Sequence, residues 1–253
     1  MSILSQNQLI ADFSVDCLIK DGVYNETYRI RDSHGTIRFM KLYDPDRMPS
    51  EVKKDGKVAE IELCRNLDHP NIVQYITDGI YSVDGKDYPY IVTNYFSGRL
   101  LSEMSGADAL PAPDLVADIL KEIVTGLKYL ADSGLVHNDI TPRNVMFDPE
   151  TRRVQLIDMG HLAKAGSPEH HYIETDFSPF FRSPESYSGK NDPAGDIFSA
   201  GAVAYALLTG RAPWEKPLPD QPENPSELQR ARKIAVHLAR KSALAPLDDI
   251  VPA

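Results

Sequence analysis

Between an apolar helical run and a short apolar strand lies the polar stretch HNDITPRNV, residues 137–145. It sets a carboxylate (Asp139), a guanidinium (Arg143) and a side-chain amide (Asn144) close together. A tight loop of this kind can bring one carboxylate to a nucleophile and one amide oxygen to a hard cation. By composition alone it is also a surface turn, since Asp, Asn and Pro are turn residues. Two more groups read blandly in isolation. Lys41 in RFMKLY is then a solvated strand lysine, and Glu60 in KVAEIEL a solvated helix glutamate.

The elements that would position these groups fall into two parts. DFSVDCLIK, ETYRIRD and TIRFMKLYD alternate or are β-branched, with Asp32-Ser33-His34-Gly35 as turn chemistry between the last two. KVAEIELCRNL, at 57–67, predicts a helix that stops at Asp68-His69-Pro70. Two further strands, NIVQYITDGIY and PYIVTNYF, are joined by a hairpin turn at Val83-Asp84-Gly85-Lys86. Beyond about residue 98 the period becomes helical. Leu115, Ile119, Ile123, Leu127 and Leu130 mark one helix, with Gly134 as its stop. NVMF and RVQLID are short strands, and AGDIFSAGAVAYALLTG is an apolar helix of the interior. The reading is a small five-strand lobe with one main helix over residues 1–95 and a larger helical lobe over 96–253. A cleft between such lobes is a natural ligand site.

Bulk composition narrows the classes. With 253 residues, 42% hydrophobic and 25% charged, the chain can bury a sizeable core. A net charge of −10 argues against nucleic-acid and anionic-membrane partners. Two cysteines, outside any metal-ligand spacing, fit a reduced, cytoplasmic setting. The N-terminus lacks a signal-peptide pattern, and no apolar run is long enough to span a bilayer.

In series, these residues resemble the eukaryotic-like protein kinases over nearly the whole chain. HNDITPRNV matches the catalytic loop H-R-D-x-x-x-x-N, LIDMG the metal-binding DFG, RSPE the end of the activation segment, and DIFSAG the helix whose aspartate braces the catalytic loop. The resemblance implies an α+β bilobal fold, with an antiparallel-sheet small lobe that binds nucleotide and a mainly helical large lobe. It implies transfer of the γ-phosphoryl group of ATP, with Mg2+, to Ser/Thr hydroxyls of a protein substrate. Lys41 and Glu60 would position the phosphates, Asp139 would orient the hydroxyl, and Asn144 and Asp158 would hold the metal. Magnesium prefers hard oxygen ligands, which this pair supplies. Gly22, Asn25, Phe39, Thr93, Asn94 and Tyr95 fall among the ATP-binding positions. Ser178, Glu185 and Asp196 fall at activation-segment and structural positions.

The chain also departs from that pattern. Lys20, Gly22 and Asn25 stand where three glycines are expected, and only Asn25 of the two replacements readily adopts left-handed geometry. Phe39 replaces a small residue against adenine, so its ring either narrows the slot or turns aside under the sheet. Asn138 replaces the arginine that pairs with a phosphorylated activation segment, which disfavours that switch. Thr141 replaces a lysine, Arg143 sits where tyrosine kinases carry an arginine, and Ser178 is the serine/threonine hallmark; Ser178 carries more weight because it faces substrate. The arginine partner of Glu185 is absent from its usual region, which implies a further C-terminal region, a partner domain, or a stand-in such as Arg240. The competing reading is a pseudokinase that binds or scaffolds without phosphotransfer.

Overall fold

The computed structural model describes residues 2–48, 53–54, 57–105, 110–167, 180–183 and 191–213. The chain divides into two compact units. One holds the residues up to Ser97 together with Asp158–Leu162, and the other begins at Gly98 and takes the remaining described residues.

The first unit is an antiparallel sheet whose strands are β1 (Leu9–Ile10), β2 (Phe13–Asp21), β3 (Asn25–Arg31), β4 (Ile37–Tyr43), β7 (Tyr75–Val83) and β8 (Lys86–Asn94), in the order β1-β2-β3-β4-β8-β7. The sixth strand, β1, is a two-residue edge that the hydrophobic pattern did not reveal. Turn chemistry explains the connections. Asp32 Oδ1 accepts the backbone N–H groups of His34 and Thr36 at 3.0 and 2.9 Å, which closes β3 onto β4. Asp84 and Gly85 both have positive φ, 51° and 74°, as a two-residue hairpin between β7 and β8 requires.

Alternation along the strands then sorts side chains to two faces. Phe13, Val15, Tyr28, Ile30, Met40, Leu42, Tyr88, Tyr90 and Val92 form one buried face, covered by Leu4 and Ile10 of the N-terminal segment. Lys41 and Tyr43 therefore point to the other face. A short pair, β5 (Lys53–Lys54) and β6 (Lys57–Val58), precedes α1 (Ala59–Cys64). The helix expected over 57–67 is thus only six residues long. Lys57 and Val58 pair with β5 instead, and Arg65 turns its guanidinium to Asp78 at 2.7 Å.

The second unit contains β9 (Arg99–Leu100), α2 (Leu101–Ser105), α3 (Pro113–Asp132), β10 (Leu135–Val136), β11 (Val145–Phe147), β12 (Val154–Leu156), β13 (Ala163–Lys164) and α4 (Pro193–Thr209). On α3 the buried stripe is Val116, Ile119, Ile123, Leu127 and Leu130, with Gly126. Val116 takes the place expected for Leu115, which stays half-buried. Gly134 follows with φ 70°. Asp192 caps α4, accepting the Ala194 N–H at 2.9 Å, and Gly210 ends it in the left-handed conformation. The helix is less enclosed than its composition suggests. Ser199, Ala200, Ala202, Val203, Ala206 and Leu207 are buried, but Ile197 is 48% exposed.

The N-terminal segment is held by one buried acid. Glu26 Oε2 accepts the Ile3 N–H at 2.8 Å and the Tyr28 hydroxyl, while that hydroxyl accepts the Leu4 N–H at 2.9 Å. Glu26→Ala would leave a backbone N–H and a buried hydroxyl without their acceptor and should cost about 2–4 kcal/mol. Urea denaturation checks this, and a variant as stable as the parent would mean that the segment does not need Glu26.

Candidate active site

In the first unit, Lys41, Glu60 and Asp158 converge. β4 presents Lys41 on the face toward α1, whose first turn carries Glu60. The Lys41 ammonium donates to Glu60 Oε1 and Oε2 at 3.0 and 2.9 Å and to Asp158 Oδ1 at 2.7 Å. Burial alone would lower the Lys41 pKa, but the charges of Asp158 and Glu60 outweigh it and hold the ammonium well above its usual range. Burial likewise would raise Asp158, and the Lys41 charge and hydrogen bond, helped by Lys20, hold its carboxyl below the carboxylate range. Asp158 is therefore an anionic oxygen donor. Its backbone is left-handed, at φ 61° and ψ 79°, where the chain enters a 3₁₀ turn at Met159–His161. Met159 is buried, as an apolar replacement should be. A Cβ on Gly160 would lie 3.3 Å from Asp158 Oδ1 and 3.5 Å from Lys41 Nζ, so the bare backbone leaves room for the ion cluster.

Two participants escaped the sequence reading. Lys20, counted as a missing glycine, brings its ammonium 3.9 Å from Asp158 Oδ2. Tyr43, two residues beyond Lys41 on the same face, donates its hydroxyl to Glu60 Oε2 at 2.7 Å. The turn before β3 also differs from expectation. Asn25 shows no positive φ and is the first residue of β3, its carbonyl accepting the Gly22 N–H at 2.8 Å. A Cβ on Gly22 would meet that carbonyl at 3.0 Å, so glycine serves the turn itself. Phe39 shares the Lys41 face and does not join the core face; its ring lies 5.2 Å from that of Tyr95. Thr93 pairs with Phe39 across the sheet. The Asn94 amide oxygen accepts the Gln74 N–H at 2.8 Å, tying the end of β8 to the start of β7.

In the second unit, residues 137–144 form a loop between β10 and β11, braced from below. Asp196, in the first turn of α4, accepts the His137 N–H at 2.7 Å and the Asn138 N–H at 2.9 Å through its two oxygens. Asn138 has φ 66°, a conformation that asparagine tolerates better than most side chains, including arginine. Asn144 Nδ2 donates to Asp139 Oδ2 at 2.6 Å and to the Asp139 carbonyl at 2.9 Å. Thr141 is buried, its hydroxyl accepting the Arg143 N–H at 3.3 Å, while Arg143 itself is exposed. Ser178, Glu185 and Arg240 lie outside the described residues.

Magnesium takes hard oxygen ligands alongside water and phosphate. Asp158, in the first unit, carries a carboxylate of that chemistry, and Asn144, in the second, carries a side-chain amide. No group of three or more His, Cys, Asp or Glu side chains among the described residues could hold a metal by itself.

Against known proteins, the protein kinase domain family matches residues 13–248. The chain belongs to the protein kinase family. Among similar proteins, the kinase domain is 29% identical to the serine/threonine-protein kinase AtPK2/AtPK19 of Arabidopsis thaliana over 207 residues, 81% of this chain and 43% of that one. It is 29% identical to the probable serine/threonine-protein kinase PknB of Corynebacterium glutamicum over 213 residues, 82% of this chain and 33% of that one. With the serine/threonine-protein kinase PksC of Streptomyces coelicolor, identity is 32% over 70% of this chain and 35% of the relative. The kinase domain thus spans less than half the length of these relatives. No helix among its described residues is long and apolar enough to cross a membrane.

Asp196 gives a pH test. Burial pushes its carboxyl up to about 7, although the His137 and Asn138 N–H groups pull the other way. Between the usual carboxylate range and about 7 the native carboxyl retains a proton that the unfolded chain has released, so this group's contribution falls as pH rises. The parent should therefore lose stability relative to Asp196→Asn as pH rises from 5 toward 7.5, measured as the difference in Tm. Parallel curves would place the carboxyl in its ordinary range.

Proposed function

We propose that this kinase domain transfers the γ-phosphoryl group of Mg-ATP to serine or threonine hydroxyls of a protein. The observation that carries the reading is the Lys41 ammonium held between the Glu60 and Asp158 carboxylates at 2.7–3.0 Å. A cation fixed by two acids is a phosphate-binding group with its direction already set. The similarity to serine/threonine-protein kinases supports the acceptor class, as does Ser178 in the sequence. None of the comparisons favours a domain that only binds.

In this reading Lys41, oriented by Glu60, takes the α- and β-phosphates. Asp158 and Asn144 are the ligands for magnesium, which when bound neutralises charge on the phosphates. Asp139 orients the acceptor hydroxyl and accepts its proton, while Asn144 holds the Asp139 carboxylate in one rotamer. Arg143 supplies charge toward the γ-phosphate in place of the lysine that Thr141 replaces. Gly22, Asn25, Phe39 and Thr93–Tyr95 belong to the nucleotide-binding surface, Phe39 and Tyr95 as an aromatic pair flanking the base. The first unit, up to Ser97 together with Asp158–Leu162, serves as the nucleotide-binding lobe read from sequence as residues 1–95, and the second unit, from Gly98, as the catalytic lobe read as 96–253. Cys17 and Cys64, both free thiols, support a cytoplasmic setting.

Asp139→Asn should abolish phosphotransfer to a generic protein acceptor, by at least about 100-fold, while ATP binding measured by calorimetry is retained. Turnover equal to the parent's would remove Asp139 from the reaction. ATP binding by the parent without any transfer would return the binding-module alternative.

A further inference from the structure

α1, which carries Glu60, has little stability of its own. It is six residues long, and Val58, the residue that precedes it, offers no side-chain cap. So short a helix does not persist in water without tertiary contacts. Its described anchors are the buried Ile61 and Cys64 and the bonds made by Glu60.

Those bonds are unequal. Lys41 provides two of them, but it also serves Asp158 and, on the reading above, must give hydrogen bonds to phosphate. Each new partner for that ammonium weakens its hold on Glu60, a residue only 8% exposed. A buried carboxylate that loses donors becomes costly. Tyr43 makes the remaining bond. It is fully buried, and burial together with the Glu60 charge keeps its phenol protonated and so a donor. No phosphate competes for it. Because Tyr43 and Lys41 project from one strand two residues apart, about 7 Å, they hold the carboxylate from two fixed points. That sets its direction as well as its distance.

We propose that Tyr43 is a positioning residue, which keeps Glu60 and α1 in the ATP-binding arrangement while Lys41 engages phosphate. The inference rests on the nucleotide reading of the preceding subsection. A residue that no sequence motif singles out would thereby act through Glu60 on nucleotide affinity.

Tyr43→Phe keeps the ring and removes the hydroxyl. Backbone amide exchange over residues 59–64 should quicken in the variant without nucleotide, while exchange in β2, β3 and β8 stays as in the parent. Calorimetric titration with Mg-ATP should give a Kd raised about five- to tenfold, with adenosine binding unchanged. In a Glu60→Gln background, Tyr43→Phe should add much less than in the parent. Parent-like exchange and parent-like ATP affinity, with only a lower Tm, would make Tyr43 a core filler and overturn the proposal. Failure of the parent itself to bind ATP would instead sink the nucleotide reading, and this role with it.

Discussion

A buried ammonium shared by two carboxylates sets the terms for the first unit. Glu60 and Asp158 come from positions far apart in sequence, and Glu60, the buried one of the two, could not be brought into this interior without a cation beside it. Lys41 supplies it from the middle of a sheet. The neighbouring structure fits that demand: a short helix to deliver one acid, a left-handed residue to deliver the other, and a glycine where a Cβ would touch all three charged groups. The arrangement costs stability to assemble and is therefore poor scaffolding. On the function proposed above it makes sense as a poised phosphate site, because the desolvation has been met before any ligand arrives.

The second unit solves a different problem, that of holding a polar loop still. Residues 137–144 have few apolar side chains with which to pack, so the loop is fixed through its backbone by Asp196 and through its side chains by the bond between Asn144 and Asp139. Asn138 shows how substitution and geometry agree. At a left-handed position asparagine is an undemanding choice, and the arginine of the family pattern would be strained there.

Much of this was legible because hydrophobic period and motif order reinforce each other. Lys41, Glu60, Asp139, Asn144, Asp158 and Asp196 stood out in series although each was unremarkable alone. Strand boundaries followed from turn residues such as Asp32 and Asp84-Gly85. What stayed hidden depends on contacts between distant residues. The tyrosine of KLY looks like any buried aromatic, and only the approach of Glu60 gives its hydroxyl a role. Lys20 looked like a defect in a glycine loop, until the fold set Asp158 near it. α1 was overestimated because the 3.6-residue period continues through 57–58 and 65–67, while strand pairing claims the first end and a tighter turn, Leu67 N–H to the Cys64 carbonyl at 3.1 Å, closes the other.

The segment before β2 carries a practical consequence. Similarity to the family begins at residue 13, yet Leu4 and Ile10 are part of the buried face that includes Met40 and Leu42. Trimming an expressed fragment to the homologous boundary would uncover a wide aromatic and aliphatic surface on the face of the six-stranded sheet opposite Lys41. A face of that kind invites self-association. Such a preparation would fail by precipitating, and its failure could easily be mistaken for an inactive enzyme.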